Sequence, residues 1–219
     1  MRIRHLSFWV IGLFAAGLAH AQTRPTGWEF RGDFLYQNGK EVSSAHGSSL
    51  SFNQSWGGSL GAEYRFTPYL ELGFMVDLQT INYDARVLRA DNPALAAAVI
   101  SDKASVYTPR LVGNLNFLDN PVTPYVSMGL GWSILDTSIT YAGSPTACYW
   151  DPWLGYICGS SGNSFSNNGF EYDIGTGLRW DINDKFSMRL AYEKHWINMG
   201  GETGTPNLDQ FRLGLQFAY

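Results

Sequence analysis

The amino-acid sequence predicts an all-β protein, an eight-stranded antiparallel up-and-down transmembrane β-barrel with four long extracellular loops and three short periplasmic turns. Three observations predict this fold. Apolar and polar residues alternate with a period of two in eight segments, the strand number of the smallest membrane barrels. The links between these segments are alternately short and long. The polar face of the segments is rich in glycine and arginine, which suits the crowded interior of a narrow barrel.

The first 21 residues are predicted to be a cleaved export signal, which leaves a single barrel domain at residues 22–219. The parts of the signal are the basic residues Arg2 and Arg4, an apolar run at residues 6–16, and a cleavage site at Ala19-His20-Ala21. An apolar run of about 11 residues is too short for a transmembrane helix, which needs about 20. The alternative of an N-terminal membrane anchor is therefore disfavoured.

The composition argues against several classes of protein. The formal net charge is −4, and removal of the signal, whose charged residues are Arg2 and Arg4, makes it more negative. An acidic chain without basic runs is a poor partner for nucleic acid or for an anionic membrane surface. Abundant glycine and aromatic residues, with no helix-sized apolar stretch after the signal, favour strands and turns.

Eight segments of alternating residues are predicted to be the barrel strands. In order, they are residues 28–36, 56–66, 70–79, 107–117, 126–134, 170–180, 186–195 and 211–219. The third segment shows the pattern clearly, since Leu70 and Leu72 flank Glu71. Pro109 falls inside the fourth segment and cannot donate a backbone hydrogen bond, so we expect the pairing to weaken there.

The links between the segments place short turns at one end of the barrel and long loops at the other. Short turns containing Pro, Asn or Asp are predicted at residues 67–69, 118–123 and 183–184. Long polar links are predicted at residues 37–54, 83–104, 142–168 and 197–207. This asymmetry is typical of outer-membrane barrels, whose turns face the periplasm and whose loops face outward. In the second long link, Asn92-Pro93 before residues 94–100 predicts a short helix.

The polar face is predicted to line the lumen, in contrast to a soluble barrel such as a lipocalin, whose interior is apolar. Much glycine would weaken a solvated strand surface, but it makes room in a narrow lumen. The glycines are Gly57, Gly61, Gly73, Gly129, Gly131, Gly175, Gly177 and Gly214. The predicted lumen charge network consists of Glu29, Arg31, Asp33, Glu63, Arg65, Glu71, Asp77, Arg110, Glu171, Asp173, Arg179, Arg189, Glu193 and Arg212. An arginine facing lipid near the midplane would cost about 2–4 kcal/mol, so these arginines must point inward.

Aromatic residues are predicted to form a girdle at each membrane interface, where their amphipathic rings are favoured. One girdle contains Trp28, Phe66, Phe117, Trp180, Phe217 and Tyr219. The other contains Tyr36, Trp56, Tyr107, Phe170 and Phe211.

The C-terminal third of the sequence carries a family resemblance. Residues 189–193, 198–200 and 211–219 resemble the last two strands and the final loop of the OmpA transmembrane domain. Residues 123–126, followed by 129–131, resemble the opening of the fifth strand in such barrels. The resemblance implies a small outer-membrane barrel of a Gram-negative bacterium, similar to the opacity-type surface proteins.

The resemblance also implies an insertion signal and a set of partners. The signal consists of alternating residues of the last strand that end in an aromatic: Phe211, Leu213, Leu215, Phe217 and Tyr219. The implied partners are outer-membrane lipid and lipopolysaccharide, the barrel-insertion machinery and periplasmic chaperones during biogenesis, and an extracellular ligand at the loops. No nucleic-acid partner is expected.

Cys148 and Cys158 are the two cysteines of the sequence and are predicted to form a disulfide, as such a pair does in an exported protein. A metal site there would need further cysteine or histidine ligands, and none is near in the sequence. The aromatic residues between the cysteines could form an adhesive patch, or pack on the base of the loop or on lipopolysaccharide.

The predicted function is that of a structural surface antigen with a plugged lumen, which contributes to envelope integrity and to recognition through its loops. One alternative is a narrow porin-like channel, because glycine-lined stretches could leave gaps. A second alternative is a barrel enzyme that modifies lipid A with His, Ser and an acid. The sequence offers these residue types at His46, Ser48, Ser49, Ser101 and Asp102, in no recognised catalytic spacing. His195 lacks a serine two positions later, so the histidine–serine pattern of barrel deacylases is missing. No catalytic, cofactor-binding or metal-binding residue is predicted.

Overall fold

The computed structural model describes residues 24–43, 49–87, 98–139, 148–151, 155–158, 163–198, 205 and 207–219. The strands in these ranges are β1 (Gly27–Gln37), β2 (Lys40–Ser43), β3 (Ser49–Phe52), β4 (Ser55–Arg65), β5 (Leu70–Val87), β6 (Ala98–Asn116), β7 (Val122–Ile139), β8 (Cys148–Asp151), β9 (Gly155–Cys158), β10 (Asn163–Asp181), β11 (Phe186–Asn198) and β12 (Asn207–Ala218). Within these ranges, no helix is long and apolar enough to cross a membrane. The predicted export signal lies outside the described residues.

Eight of these strands form a closed antiparallel barrel, in the order β1, β4, β5, β6, β7, β10, β11 and β12. Strand β12 closes the sheet on β1, where Phe34 lies opposite Leu213. Closure pairs the backbone N–H and C=O groups without water, which is the condition for crossing lipid with strands. The predicted eight-stranded up-and-down barrel is therefore confirmed.

Six barrel strands, namely β5, β6, β7, β10, β11 and β12, run at least three residues beyond the segments that their alternation predicts. Strand β5 continues to Val87, which pairs with Ala98 at the start of β6. Strand β10 begins at Asn163, opposite Ile139 at the end of β7. In β5 the added residues keep a period of two with the faces exchanged, since Ile81 and Tyr83 are buried and Asn82 is exposed. Residues 163–169 of β10 keep no such alternation, and they pair because β7 continues the ladder beside them.

The long links are consequently shorter than the sequence indicates. The links predicted at residues 83–104 and 142–168 are partly strand, and the second of them also contains the β8–β9 hairpin. The link at residues 37–54 contains β2 and β3, which extend the sheet from β5. The helix predicted over residues 94–100 is wrong at its C-terminal end, because residues 98–100 belong to β6. Residues 94–97 lie outside the described part of the chain.

Short turns join β4 to β5, β6 to β7 and β10 to β11 at one end of the barrel, which we call the turn end; the opposite end is the loop end. Two of these turns are stabilised by side chains. The Thr67 hydroxyl accepts a hydrogen bond from the N–H of Leu70 at 3.0 Å. The side-chain oxygen of Asn183 accepts one from the N–H of Phe186 at 2.8 Å. Such local bonds explain why these residue types favour turns.

Pro109 interrupts one ladder without opening the barrel. It lies opposite Val76 of β5 in an unbroken register. On the other side, the β6–β7 register passes from Tyr107 to Arg110 without pairs at the two positions between them. The gap is what the missing N–H of proline predicts.

The two faces of the barrel are inverted relative to a soluble protein. Outward apolar side chains form an exposed belt, in which Leu60, Leu111 and Met128 are 64–67% exposed. Most inward positions hold charged, polar or small side chains, and these are buried. An apolar belt around a polar interior suits a bilayer, since its outer surface then contacts lipid tails.

Aromatic rings pack against one another at both ends of this belt. At the turn end, the ring centroids of Trp28 and Tyr64 lie 5.3 Å apart in an edge-on arrangement. At the loop end, the centroids of Tyr36 and Trp56 lie 4.5 Å apart. These positions are those at which interfacial aromatic residues are enriched in membrane proteins.

Candidate functional site

The charged residues predicted for the lumen are all buried inside the barrel, where they form two clusters. The turn-end cluster consists of Glu29, Arg31, Glu63, Arg65, Glu71, Arg179 and Arg189. The loop-end cluster consists of Asp33, Asp77, Arg110, Glu171, Asp173, Glu193, Arg212 and, in addition, His195. An ion pair connects the clusters, because Nε of Arg31 donates to Asp33 at 2.7 Å.

In the turn-end cluster, arginines of three strands converge on two glutamates. Arg179 donates from Nη1 to Glu71 at 2.6 Å and from Nη2 to Glu29 at 2.9 Å. Arg65 donates to the same two glutamates, and Arg189 donates to Glu71. The planar guanidinium serves several carboxylate oxygens at once, so arginine suits this confined space better than lysine.

Arg212 is the centre of the loop-end cluster. Its Nη1 donates to Asp33 at 2.8 Å and its Nη2 donates to Asp77 at 2.7 Å. Its Nε donates to Glu193 at 3.1 Å. The Arg212 side chain is fully buried, so its charge is balanced by these carboxylates instead of by water.

Arg110 and His195 contact the remaining carboxylates of the loop-end cluster. Arg110 donates to Asp173 at 2.8 Å and to Glu193 at 3.3 Å. Nδ1 of His195 lies 2.6 Å from Oε1 of Glu171. The alternation of the seventh predicted strand places His195 on the inner face, but no feature of the sequence indicated that it belongs to the charge network.

The lumen glycines make room for the long charged side chains. A Cβ on Gly131 would lie 2.7 Å from Cβ of Arg110, and a Cβ on Gly175 would lie 2.7 Å from Cγ of Glu193. Real Cβ atoms essentially never approach so closely, so any larger residue would displace the network. Gly58, which faces outward, has no contact of this kind.

The loop end of the lumen is filled by a cluster of apolar side chains that the sequence analysis missed. We call it the apolar cluster: Phe52, Ile81, Tyr83, Ala104, Val106, Leu135, Ile197 and Leu208. Its members come from the inner faces of the extended strands and from β3. Ile81 is an even number of residues from Glu71 and Asp77, so it lies on the same inner face of β5. The predicted third strand ended at residue 79, and for this reason Ile81 was not assigned to the lumen.

The turn end is closed by Arg24, a second residue that sequence reasoning missed. Its Nη1 donates to the carbonyl oxygen of Leu118 at 3.0 Å, and its Nε donates to Asp181. It also donates to the carbonyl oxygens of Asn120 and Pro68, so it joins two of the turns to the end of β10. Arg24 lies before the first predicted strand, so the alternation of apolar and polar residues could not identify it.

Two small cavities lie along the lumen, each of about 30 Å³. One lies at the loop end between the loop-end cluster and the apolar cluster, next to His195 and Glu171. The other lies at the turn end next to Arg24 and Arg179. Each volume is close to the share of one water molecule in the liquid.

Of the residues considered for catalysis, Ser49 lies on β3 and Ser101 and Asp102 lie on β6. Ser101 donates its hydroxyl to Asp84. His46 and Ser48 lie outside the described residues. In the lumen, Ser133 donates to Glu171 and not to His195, whereas a serine nucleophile would be bonded to its base.

Cys148 and Cys158 are directly opposite in the backbone register of β8 and β9. Directly opposite residues of an antiparallel ladder have Cα atoms about 4.5 or 5.5 Å apart. Both values lie within the Cα separation of about 4.4–6.8 Å that a disulfide requires.

Four residues of the predicted insertion signal lie on the outward face of β12, and Tyr219 follows the end of this strand. The exposed side chains are those of Phe211, Leu213, Leu215, Phe217 and Tyr219. They belong to the lipid-facing belt described above, and their role in insertion stays a prediction.

A closed barrel with an apolar belt and a charged, buried lumen defines a transmembrane β-barrel protein. The family model described as outer membrane protein beta-barrel domain matches residues 6–218, and the chain belongs to this family. The protein is therefore a multi-pass β-barrel of the Gram-negative outer membrane. A search of curated proteins by sequence found no match.

Solved structures of small outer-membrane barrels are similar to this chain. Outer membrane protein OprG from Pseudomonas aeruginosa has 12% identity and a TM-score of 0.51, over 91% of this chain and 98% of that chain. Neisserial surface protein A has 16% identity and a TM-score of 0.48, over 88% and 97%. Ail of Yersinia pestis has 13% identity and a TM-score of 0.49, over 89% and 99%. At these identities the likeness concerns the fold alone.

Proposed function

We propose that this protein is a structural and surface protein of the outer membrane, with a plugged lumen, that contributes to envelope integrity. The observation that carries the proposal is the continuous ion network across the lumen. It lies between the apolar cluster at the loop end and Arg24 at the turn end. The interior of an eight-stranded barrel is just wide enough for side chains to fill.

The channel alternative depended on gaps beside the lumen glycines. In the described lumen these positions are occupied by neighbouring atoms, such as the Arg110 side chain at Gly131. Moving an arginine aside would also leave its carboxylates without a partner, at a cost of several kcal/mol. Both considerations favour a closed lumen.

Planar-bilayer recording of the purified, refolded protein tests the plug. We expect no steady conductance, because ions would have to displace buried salt bridges. The result that contradicts the proposal is steady openings whose current changes in Arg110→Met or Glu193→Gln but not in Gly58→Leu on the outer face. The same preparation, incubated with labelled lipid A, checks the enzyme alternative, and we expect no change in the acyl chains.

We further propose that recognition of lipopolysaccharide or of an extracellular ligand takes place at the loop end. The support is the β8–β9 hairpin, which lies in the link that joins β7 to β10 in the chain and therefore belongs to the loop end. A deletion strain should show an envelope defect that a strain lacking only residues 142–162 does not show. Detergent sensitivity and surface binding are the measurements. Equal envelope defects in both strains would contradict a structural role for the barrel.

Other parts of the proposal are an export signal at residues 1–21, assembly through the barrel-insertion machinery and periplasmic chaperones, and a disulfide between Cys148 and Cys158. The disulfide is supported by the opposed positions of the two cysteines in the register. Closing so short a loop would stabilise it locally by roughly 3 kcal/mol on the chain-entropy estimate. Thiol alkylation before and after reduction is the measurement that checks it.

A further inference from the structure

The two lumen clusters differ in charge balance. The turn-end cluster has four arginines for three glutamates, whereas the loop-end cluster has two arginines and His195 for five carboxylates. The excess of negative charge is therefore confined to the loop-end half of the lumen. Uncompensated buried charge is costly, so this half favours an additional cation.

Three side chains of the loop-end cluster converge as the ligands of a metal ion would. A carboxylate oxygen of Glu171, one of Asp173 and a ring nitrogen of His195 all lie within 4.8 Å of one another. The three residues are only 4–5% exposed. They come from adjacent positions on β10 and β11, since Asp173 is the register partner of His195.

Two buried atoms of this group have no hydrogen-bond partner. Oδ1 of Asp173 is unpartnered, while its other oxygen accepts a hydrogen bond from Arg110 at 2.8 Å. Nε2 of His195 is also unpartnered, since Glu193 lies 3.3 Å away without hydrogen-bond geometry. Buried polar atoms are nearly always bonded. Of the unpartnered buried atoms in the described part of the chain, these two belong to the histidine–carboxylate group, where a metal ion could bond both.

The neighbouring groups position the ligands and leave space. Ser133 donates to Oε2 of Glu171, which leaves Oε1 on the side of His195. Outer contacts of this type orient ligand carboxylates in metal sites. The loop-end cavity of about 30 Å³ borders both Glu171 and His195, and it can hold an ion's bound water.

We propose that Glu171, Asp173 and His195 bind one divalent transition-metal ion of the Zn²⁺ type inside the lumen. An imidazole together with carboxylates suits Zn²⁺, whereas Ca²⁺ and Mg²⁺ prefer oxygen ligands alone. The ion takes the place of the proton on the imidazole, so the loop-end half of the lumen gains one net positive charge. The site does not depend on whether the lumen conducts.

Metal analysis of the refolded full-length barrel tests the site. The protein is stripped with EDTA, refolded with Zn²⁺, desalted and assayed for zinc by atomic emission, and affinity is measured by competition with a chromophoric chelator. We expect one zinc ion per barrel. Asp173→Asn and His195→Gln should each lower the affinity at least about tenfold, the smallest loss typical of changes around a metal site. Substitution with Co²⁺ should give visible absorption bands that both variants lose.

Matched controls separate this site from other ligands of the chain. His46→Gln removes the other histidine of the predicted mature chain, and Cys148→Ser with Cys158→Ser removes the thiols; both variants should keep the zinc. Heat-modifiable gel migration verifies that each variant is folded. If His195→Gln does not fold, the comparison is made with Asp173→Asn alone. Absence of zinc from the folded wild type, or its loss in His46→Gln or the cysteine variant instead, would overturn the proposal.

Discussion

Replacing Arg212 with methionine is expected to destabilise the barrel by about 3–5 kcal/mol, the range typical when one partner of a buried ion pair is removed. The cause is the loss of a fully buried guanidinium that donates hydrogen bonds to Asp33, Asp77 and Glu193. Methionine retains much of the volume, so the loss reports on charge more than on packing. The change acts on the half of the lumen where carboxylates already exceed arginines.

Urea unfolding of the refolded protein in lipid vesicles, followed by tryptophan fluorescence, measures this loss. Arg86→Met is the matched control, because Arg86 is exposed on β5, and we expect a change within about 0.5 kcal/mol. A loss below about 1 kcal/mol in Arg212→Met would fit a surface ion pair, and would contradict the assignment of Arg212 as the centre of the cluster.

Replacing Leu111 with arginine is expected to cost about 2–4 kcal/mol, the range for a basic residue facing lipid at the midplane. Leu111 is 64% exposed on the outer face of β6, opposite Phe74 of β5 and Leu130 of β7. It lies between Tyr107 and Phe117, four residues from the first and six from the second, and these two residues belong to the two aromatic girdles. The side chain would therefore have to carry its charge into the centre of the apolar belt.

The same substitution at Leu118 gives the control, because Leu118 lies in a turn at the end of the barrel and its side chain is partly exposed. The expected cost there is about 0–1 kcal/mol, as for basic residues near an interface. The unfolding free energies are compared in vesicles of one lipid composition. Equal costs at Leu111 and Leu118 would show that depth does not matter, which is incompatible with Leu111 at the midplane.

The sequence was most informative where the period of two continued without interruption. The eight barrel strands were predictable because each has an apolar face that must meet lipid and a polar face that must be enclosed. The strand extensions were not predictable in this way. Residues such as Asn163 and Ser164 pair with β7 because that strand is already beside them, and pairing of this kind needs no amphipathic pattern.

The residues of the lumen were predictable as a face, but their pairing was not. Parity along the strands placed Arg212 and Asp77 inside, yet 135 residues separate them in the chain. Arg24 and the apolar cluster escaped prediction because they lie outside the segments predicted to be strands. Their contacts depend on how the turns and the extended strands meet in space.

The sequence by itself determined the strands, the face that meets lipid and the set of charges that must be buried, because these follow from the local alternation of side chains along an extended chain. Only the tertiary structure decided how those charges are shared. Strand register and stagger bring Glu171, Asp173 and His195 together, and they assign most of the arginines to the turn end. Register is a property of the closed barrel, so the local imbalance of charge in the lumen exists only after the sheet has closed.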